Sequence, residues 1–578
     1  MTLYTIEIKD RLYSEWLIYQ SSDETKEPVN IFVPPTDHKL FNGDMFVTNK
    51  NHTIELISST VRSSIIPGVI ILKGNKTYGR HTNGKFLYKC TPDDPKIPSF
   101  LVPYEMKHMG FSKVFTNLYV TIVFVEWSQK HPMGVIHQLI GEVDELVNFY
   151  EYQLYCKNVN ASLQKFTKNT LKSFKQHLEL TDYICEKYPN IEDRTDWKVF
   201  SIDPEGSVDF DDAFSIRQIT NANGESITQL SIYIANVTLW IDALQLWQDF
   251  TNRVSTIYLP DKKRTMLPSI LSDNLCSLQT KCSRFAFTMD IFISDATNEI
   301  YEVNYLNTKV KLYKNYVYEE PQLLQDKEYH MLMHYVKNVL SPKHQYMENI
   351  ADSHDVVQYL MIFMNYYCAK ELLSQKNGIF RSVVVKPSAN TSGLDKLPED
   401  VSKFLKMIQS FSGRYIDIKK TDEPIRHDMM NMDAYIHITS PIRRLVDLLN
   451  MIQIQKNMGI VELSSEAMLF LKSWRKNIEL INTQTRAIKK VQTDCNLLHL
   501  CSTTPELLDK IHEGYAFSKK CRSQEQDLDE YSVYLPELKL TTRVFTNTPI
   551  ELYEKRNYKL YLFDNEEKFK KKIRLQAV

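Results

Sequence analysis

The stretch SIDPEGSVDFDDAFS, residues 201–215, sets Asp203, Asp209, Asp211 and Asp212 within ten consecutive positions and contains no lysine or arginine. Carboxylates this close repel one another, and burying them raises their pKa values unless a cation intervenes. A fold for this chain must leave the segment in water or bring a cation to it from elsewhere. Three readings are open: a solvated acidic loop, a calcium loop, and a catalytic metal site. The calcium-loop template fails, because the obligatory glycine position counted from Asp203 is Val208. Hard oxygen ligands with open positions suit Mg²⁺ or Mn²⁺, and two such ions roughly 4 Å apart serve phosphodiester hydrolysis. Pro204, Glu205 and Gly206 read as a turn that folds Asp203 back towards the other three. On an extended strand Asp209 and Asp211 share one side and Asp212 takes the other, unless the backbone turns there.

A second constellation, YIHITSPIRRLVD at 435–447, holds a Ser-Pro turn, two adjacent arginines and the start of an amphipathic helix. Read blandly, it is a helix cap with surface arginines. Read chemically, an arginine fixed at a helix start can hold a phosphate. Phosphodiester cleavage needs both charge signs, so the aspartates and this arginine together outline a phosphodiesterase.

The 578-residue chain has room for three or four domains by a prior of roughly 150 residues each. Seventy basic against seventy-one acidic side chains leave a net charge of −1, so any surface for nucleic acid must be local. The nine cysteines form no CxxC pair and read as reduced thiols of a cytoplasmic protein, with the nucleus as alternative. No apolar run is long enough for a membrane span. Residues 1–155 contain short β runs (LYTIEI, EWLIYQ, VNIFVP, GDMFVTN, GVIILKG, LYVTIVFVEW), enough for two small barrels. The pattern turns helical from about 135 to 190 and returns to strands over 197–320, with Leu230, Ile232 and Ile234 on one face. DVVQYLMIFMNYYCAKELLSQ, 355–375, is apolar nearly all round and predicts a buried helix. The end of the chain reads as a further barrel, its basic tail KFKKKIRL (568–575) being either an edge strand or an RNA contact.

The spacing D-x5-D-x-D-D of the four aspartates, the run YLPDKKRTMLPSILSDNLCSL (258–278) and YIHITSPIRR resemble, in that order, motifs of the RNB family, which includes ribonuclease II and the exosome-type exoribonucleases. The resemblance implies a multidomain α+β chain. Its parts are two cold-shock-like OB-fold barrels (1–63 and 64–155), an α+β RNB catalytic domain with a helical leader (156–510) and a C-terminal OB-fold barrel (511–578). It further implies Mg²⁺-dependent, processive hydrolysis of single-stranded RNA from a free 3′ end to nucleoside 5′-monophosphates, by a monomer. Asp203, Asp209, Asp211 and Asp212 would organise Mg²⁺ (or Mn²⁺), Asp211 would be indispensable, and Arg443 would hold the scissile phosphate. Tyr258, Tyr318, Gln358 and Arg444 would contact RNA, although both tyrosines also fit ordinary strand packing. The alternative is a catalytically silent RNA-binding relative that regulates mRNA decay or translation. The chain departs from the family pattern at Gln358 and Tyr359, where an acidic pair is usual, at Asn236, at Met451 and Ile452, and after Arg381, where Ser382 and Val383 follow in place of a histidine. Eukaryotic exosome subunits begin with an endonuclease domain. This chain starts at a barrel-like segment, so endonuclease activity is not expected.

Overall fold

A computed structural model describes the chain apart from residues 1, 22–26, 49–52, 107–114, 177–178, 221–223, 348, 385–396, 411–412, 421–422, 521–527 and 566–569. The chain divides into two compact units: 1–160 with 259–261 and 487–578, and 161–258 with 262–486. Among the described residues no helix is long and apolar enough to cross a membrane.

The first unit holds one open sheet and two closed rings. Strands Trp16–Gln20, Leu3–Ile8, Met45–Thr48 and Ile54–Ser58 form a four-stranded antiparallel sheet, in that order. This corrects the expectation of a first closed barrel. VNIFVP does not form a strand, and Pro34 at its end and the following Pro35 cannot donate to a ladder. The sheet is not closed among the described residues; Ile6, Ile8, Phe41 and Phe46 share one core with Ile66, Phe100, Val120 and Ile122 of the next element. That element is a closed ring of five strands, Ile66–Ile70, Phe86–Pro92, Phe100–Tyr104, Met133–Glu142 and Leu118–Glu126. The helical pattern expected from about 135 starts only at Leu146–Cys156. Pairing overrides it: Met133–Glu142 lies along Leu118–Glu126 so closely that a Cβ on Gly134 would sit 3.0 Å from the Val123 carbonyl. At the C-terminus Ile511–Lys520, Asp529–Leu535, Leu540–Thr546, Lys570–Ala577 and Lys555–Asn565 close a second five-stranded ring. Lys568 of the basic tail lies outside the described residues. Lys570 is no free edge lysine, since it is buried against Asp93 at 2.6 Å.

The second unit is built on a seven-stranded sheet in the order Glu192–Arg194, Ile300–Lys311, Ser283–Ser294, Ser226–Ala235, Asp212–Thr220, Phe200–Asp203, Lys314–Val317. The outermost pair at each edge is parallel and the rest antiparallel. Period-2 alternation turns Leu230, Ile232, Ile234, Phe287, Met289 and Ile291 to one face. Helix Ser353–Ser374 covers that face with Leu360, Phe363 and Met364, as its all-round apolarity predicts. Helix Leu445–Asn457, buried along nearly its whole length, follows the SPIRR segment.

Candidate active site

Strands Phe200–Asp203 and Asp212–Thr220 are neighbours, paired through Phe200 and Phe214, so the loop between them returns Asp203 to the later aspartates. Gly206 makes the turn with φ +79°, a left-handed conformation that favours glycine. The NLCSL stretch pins the loop from one side. Ser277 Oγ accepts from Phe210 N at 3.0 Å and donates to the Val208 carbonyl at 2.8 Å, and Leu278 N donates to the Phe210 carbonyl at 3.0 Å. From the other side Ala235 N donates to the Asp211 carbonyl at 2.8 Å.

The four carboxylates divide into two kinds. Asp209 is held by Lys263, whose Nζ lies 2.8 Å from Asp209 Oδ1 and 3.1 Å from Asp273 Oδ1. Burial lowers the Lys263 pKa, but the bonds and charges of Asp209 and Asp273 hold it above the ordinary value. Asp211, 3% exposed, accepts from Arg443 Nε at 3.0 Å and from Ile442 N at 3.0 Å. Burial still pushes its carboxyl up to about 7, against the lowering charge of Arg443. Asp203 and Asp212 are different: each buries an Oδ2 that has no hydrogen-bond partner. Burial raises both carboxyls, and the Asp203 charge raises Asp212 further. Arg443 lowers both, yet burial keeps both carboxyls high and a buried oxygen of each stays unsatisfied, so the pair has room for further positive charge.

The SPIRR segment supplies one cation. Arg443 is anchored twice, by Nε to Asp211 and by Nη2 to Ser440 Oγ at 3.0 Å, while 45% of its side chain stays exposed. Ser440 N donates to Asp447 Oδ1 at 2.8 Å, and Arg444 Nη2 donates to the same oxygen at 2.8 Å. Arg444 therefore belongs to the helix start and not to the aspartates. Backbone bonds from Thr256 N to the Arg443 carbonyl (2.9 Å) and from Leu445 N to the Val254 carbonyl (3.0 Å) fix the segment beside the strand that carries Tyr258.

Tyr258 is 43% exposed, and after burial it is the charges of Arg443, Asp209 and Asp211 that act on its hydroxyl. It is thus brought to the site. Tyr318 is tied to the same loop, with its N–H donating to the Asp203 carbonyl at 3.1 Å. Its hydroxyl is raised by burial and by Asp212 and Asp203. Its ring is already stacked on His354, with centroids 3.6 Å apart and planes 12° apart. Gln358 is exposed one helical turn beyond His354. Sequence reasoning missed Lys263, Ser277 and His354. The first two lie inside quoted motifs, whereas nothing local marks His354.

Among the described residues no group of three or more acidic, histidine or cysteine side chains is arranged to hold a metal ion. Mg²⁺, however, is usually held by one or two carboxylates, with substrate phosphate and water completing its shell. The unpartnered oxygens of Asp203 and Asp212 fit that requirement.

Residues 191–350 and 322–459 match the model of the RNB domain. The chain belongs to the RNB family. The probable exosome complex exonuclease RRP44 of Caenorhabditis elegans is 33% identical over 239 residues, which are 41% of this chain and 24% of that protein. The first curated relatives are matched over only 24%, 23% and 21% of their own length. The fold is similar to that of Mycoplasma genitalium RNase R in complex with ribose-methylated single-stranded RNA, with a TM-score of 0.67 at 15% identity over 99% of this chain and 100% of the other. It is also similar to yeast Ssd1, a pseudonuclease, with a TM-score of 0.57 at 12% identity over 96% and 80%. The departures from the RNB pattern are absorbed structurally. Asn236 caps helix Val237–Ala243 and bonds Asn307 at 2.8 Å. Tyr359 donates to the His344 carbonyl at 3.1 Å, and Met451 and Ile452 are core residues.

Proposed function

We propose that this RNB-family chain is a hydrolytic 3′-to-5′ exoribonuclease that degrades single-stranded RNA processively to nucleoside 5′-monophosphates. The observation that carries the reading is the juxtaposition of two carboxylates, each with a buried, unpartnered oxygen, and a half-exposed side chain, Arg443, locked on their neighbour Asp211. Asp203 and Asp212 would hold Mg²⁺, or Mn²⁺ in its place, with Asp209 and Asp211 completing the acidic surround. When bound, the ion supplies charge neutralisation at the phosphate and an activated water. Arg443 keeps Nε and Nη2 on protein oxygens and offers its remaining N–H edge to a phosphate oxygen, pre-oriented without reorganisation. Asp211 thereby acts twice, as part of the acidic surround and as the clamp on Arg443. Tyr258 would hold the 3′-terminal nucleotides, Tyr318 would lie at the terminal base, and Gln358 would donate to a ribose 2′-hydroxyl. Arg444 shares its guanidinium with Asp447, so any RNA contact uses what remains. The two rings and the N-terminal sheet would serve as OB-type RNA-binding elements (1–63, 64–155, 511–578) in addition to a catalytic body over 156–510. A cytoplasmic or nuclear location is suggested only by the cysteine pattern of the sequence, nine residues with no CxxC pair.

A second reading, RNA binding without hydrolysis, draws on the two protein cations already seated on Asp209 and Asp211. One experiment separates the two. With 5′-labelled single-stranded RNA and Mg²⁺, the exonuclease reading expects progressive shortening by the parent and none by Asp211→Asn. Tight binding by both proteins without shortening would establish the second reading instead.

A further inference from the structure

Tyr318 and His354 form the closest aromatic stack at the site, at 3.6 Å and 12°. The pair is fixed from both ends. The backbone of Tyr318 is bonded to Asp203. The next residue, Glu319, exchanges bonds with the first helical residue: Ser353 N donates to Glu319 Oε1 at 2.7 Å, and Glu319 N donates to Ser353 Oγ at 3.2 Å. Asp352 caps the same helix by accepting from Asp355 N at 3.0 Å. His354 is therefore held over one face of Tyr318 by the helix start, and His354 itself is exposed. Gln358 follows it by four residues, on the same helical face.

We propose that His354 is an RNA-binding residue of this centre: its exposed ring, backed by Tyr318, is the platform on which the 3′-terminal base of the RNA stacks. The inference rests on the reading of the site as one that binds RNA. A tyrosine face already covered by imidazole is closed to a base, while a stacked pair presents a second, outer aromatic face at about 3.5 Å increments, which is how sequence-tolerant stacking platforms extend. Gln358 then lies one turn along, where the ribose of a base stacked on His354 would follow. His354 thus couples the terminal base to the helix, and Tyr318 couples it to the aspartate loop.

The test uses the full chain carrying Asp211→Asn, which prevents degradation, and RNA with 2-aminopurine as its 3′-terminal base. Stacking quenches that fluorophore. The Asp211→Asn protein should quench it, adding His354→Ala should relieve the quenching and weaken binding about tenfold, and adding His354→Phe should restore both. Unchanged quenching in the His354→Ala protein overturns the proposal, and so does loss of quenching in a His354→Phe protein that melts at the parent temperature. If the Asp211→Asn protein binds no RNA at all, the underlying reading falls and the proposal with it.

Discussion

Two buried aspartates of one sheet meet opposite fates. Asp290, on strand Ser283–Ser294 and 3% exposed, receives both Arg194 nitrogens at 2.8 and 2.6 Å and Ser231 Oγ at 2.6 Å. Asp212, two strands away and 8% exposed, has one oxygen with no partner and a like charge, Asp203, beside it. Burying a carboxylate costs several kcal/mol, so a site of this kind is stable only when the charge is answered. The Arg194 pair answers Asp290 from within the chain and makes it a structural element. Asp212 has no such partner for its buried Oδ2, and that oxygen is where the proposed cation would sit.

That contrast can be broken experimentally, and the largest effect is on turnover. Asp211→Asn should lower RNA hydrolysis on the order of 10³-fold, because it removes an acidic group and unclamps Arg443 together; single-turnover degradation measures it. Asp290→Ala should instead cost about 3 kcal/mol of folding stability by stranding Arg194. Chemical denaturation reads the loss, and the fraction still folded should degrade RNA at the parent rate.

Asp212→Asn should move stability the other way in the absence of divalent ions, a gain on the order of 1–2 kcal/mol. The folded pKa values of Asp203 and Asp212 are raised, so the folded state binds more protons than the unfolded one. Stability of the metal-free protein then falls as pH rises from the ordinary carboxylate range through neutrality. The variant should flatten that fall, and melting curves across pH with and without Mg²⁺ would reveal it. The smallest effect belongs to Lys263→Met. Taking a cation off Asp209 should tighten divalent binding by a few-fold, about 1 kcal/mol for a partly exposed pair, measurable by titration calorimetry.

Much of this centre was legible because its chemistry is written in short local patterns. The aspartate spacing, the Pro-Glu-Gly turn and SPIRR needed no tertiary information. The alternation through Leu230, Ile232 and Ile234 and the apolar helix over 355–375 also gave the sheet face and its cover. What stayed hidden depends on pairing between distant segments. Lys263 becomes the partner of Asp209 only when two short strands, Ile257–Tyr258 and Lys263–Arg264, pair across the YLPD turn. His354 reaches Tyr318 through a helix start whose cap lies in another motif-free stretch. The N-terminal sheet was misjudged for the converse reason. VNIFVP has strand composition, but Pro34 and the following Pro35 have no N–H to donate, and among the described residues the sheet stays open and shares a core with the adjacent ring.

The proposed divalent site at Asp203 and Asp212 can be read by Mn²⁺ binding followed by electron paramagnetic resonance, on the full chain without RNA. The parent should bind Mn²⁺ saturably, with displacement by Mg²⁺, and the Asp203→Asn, Asp212→Asn double variant should lose that binding at unchanged fold. Binding that survives in the double variant, or a parent that binds no Mn²⁺ with or without a non-cleavable RNA, would contradict it.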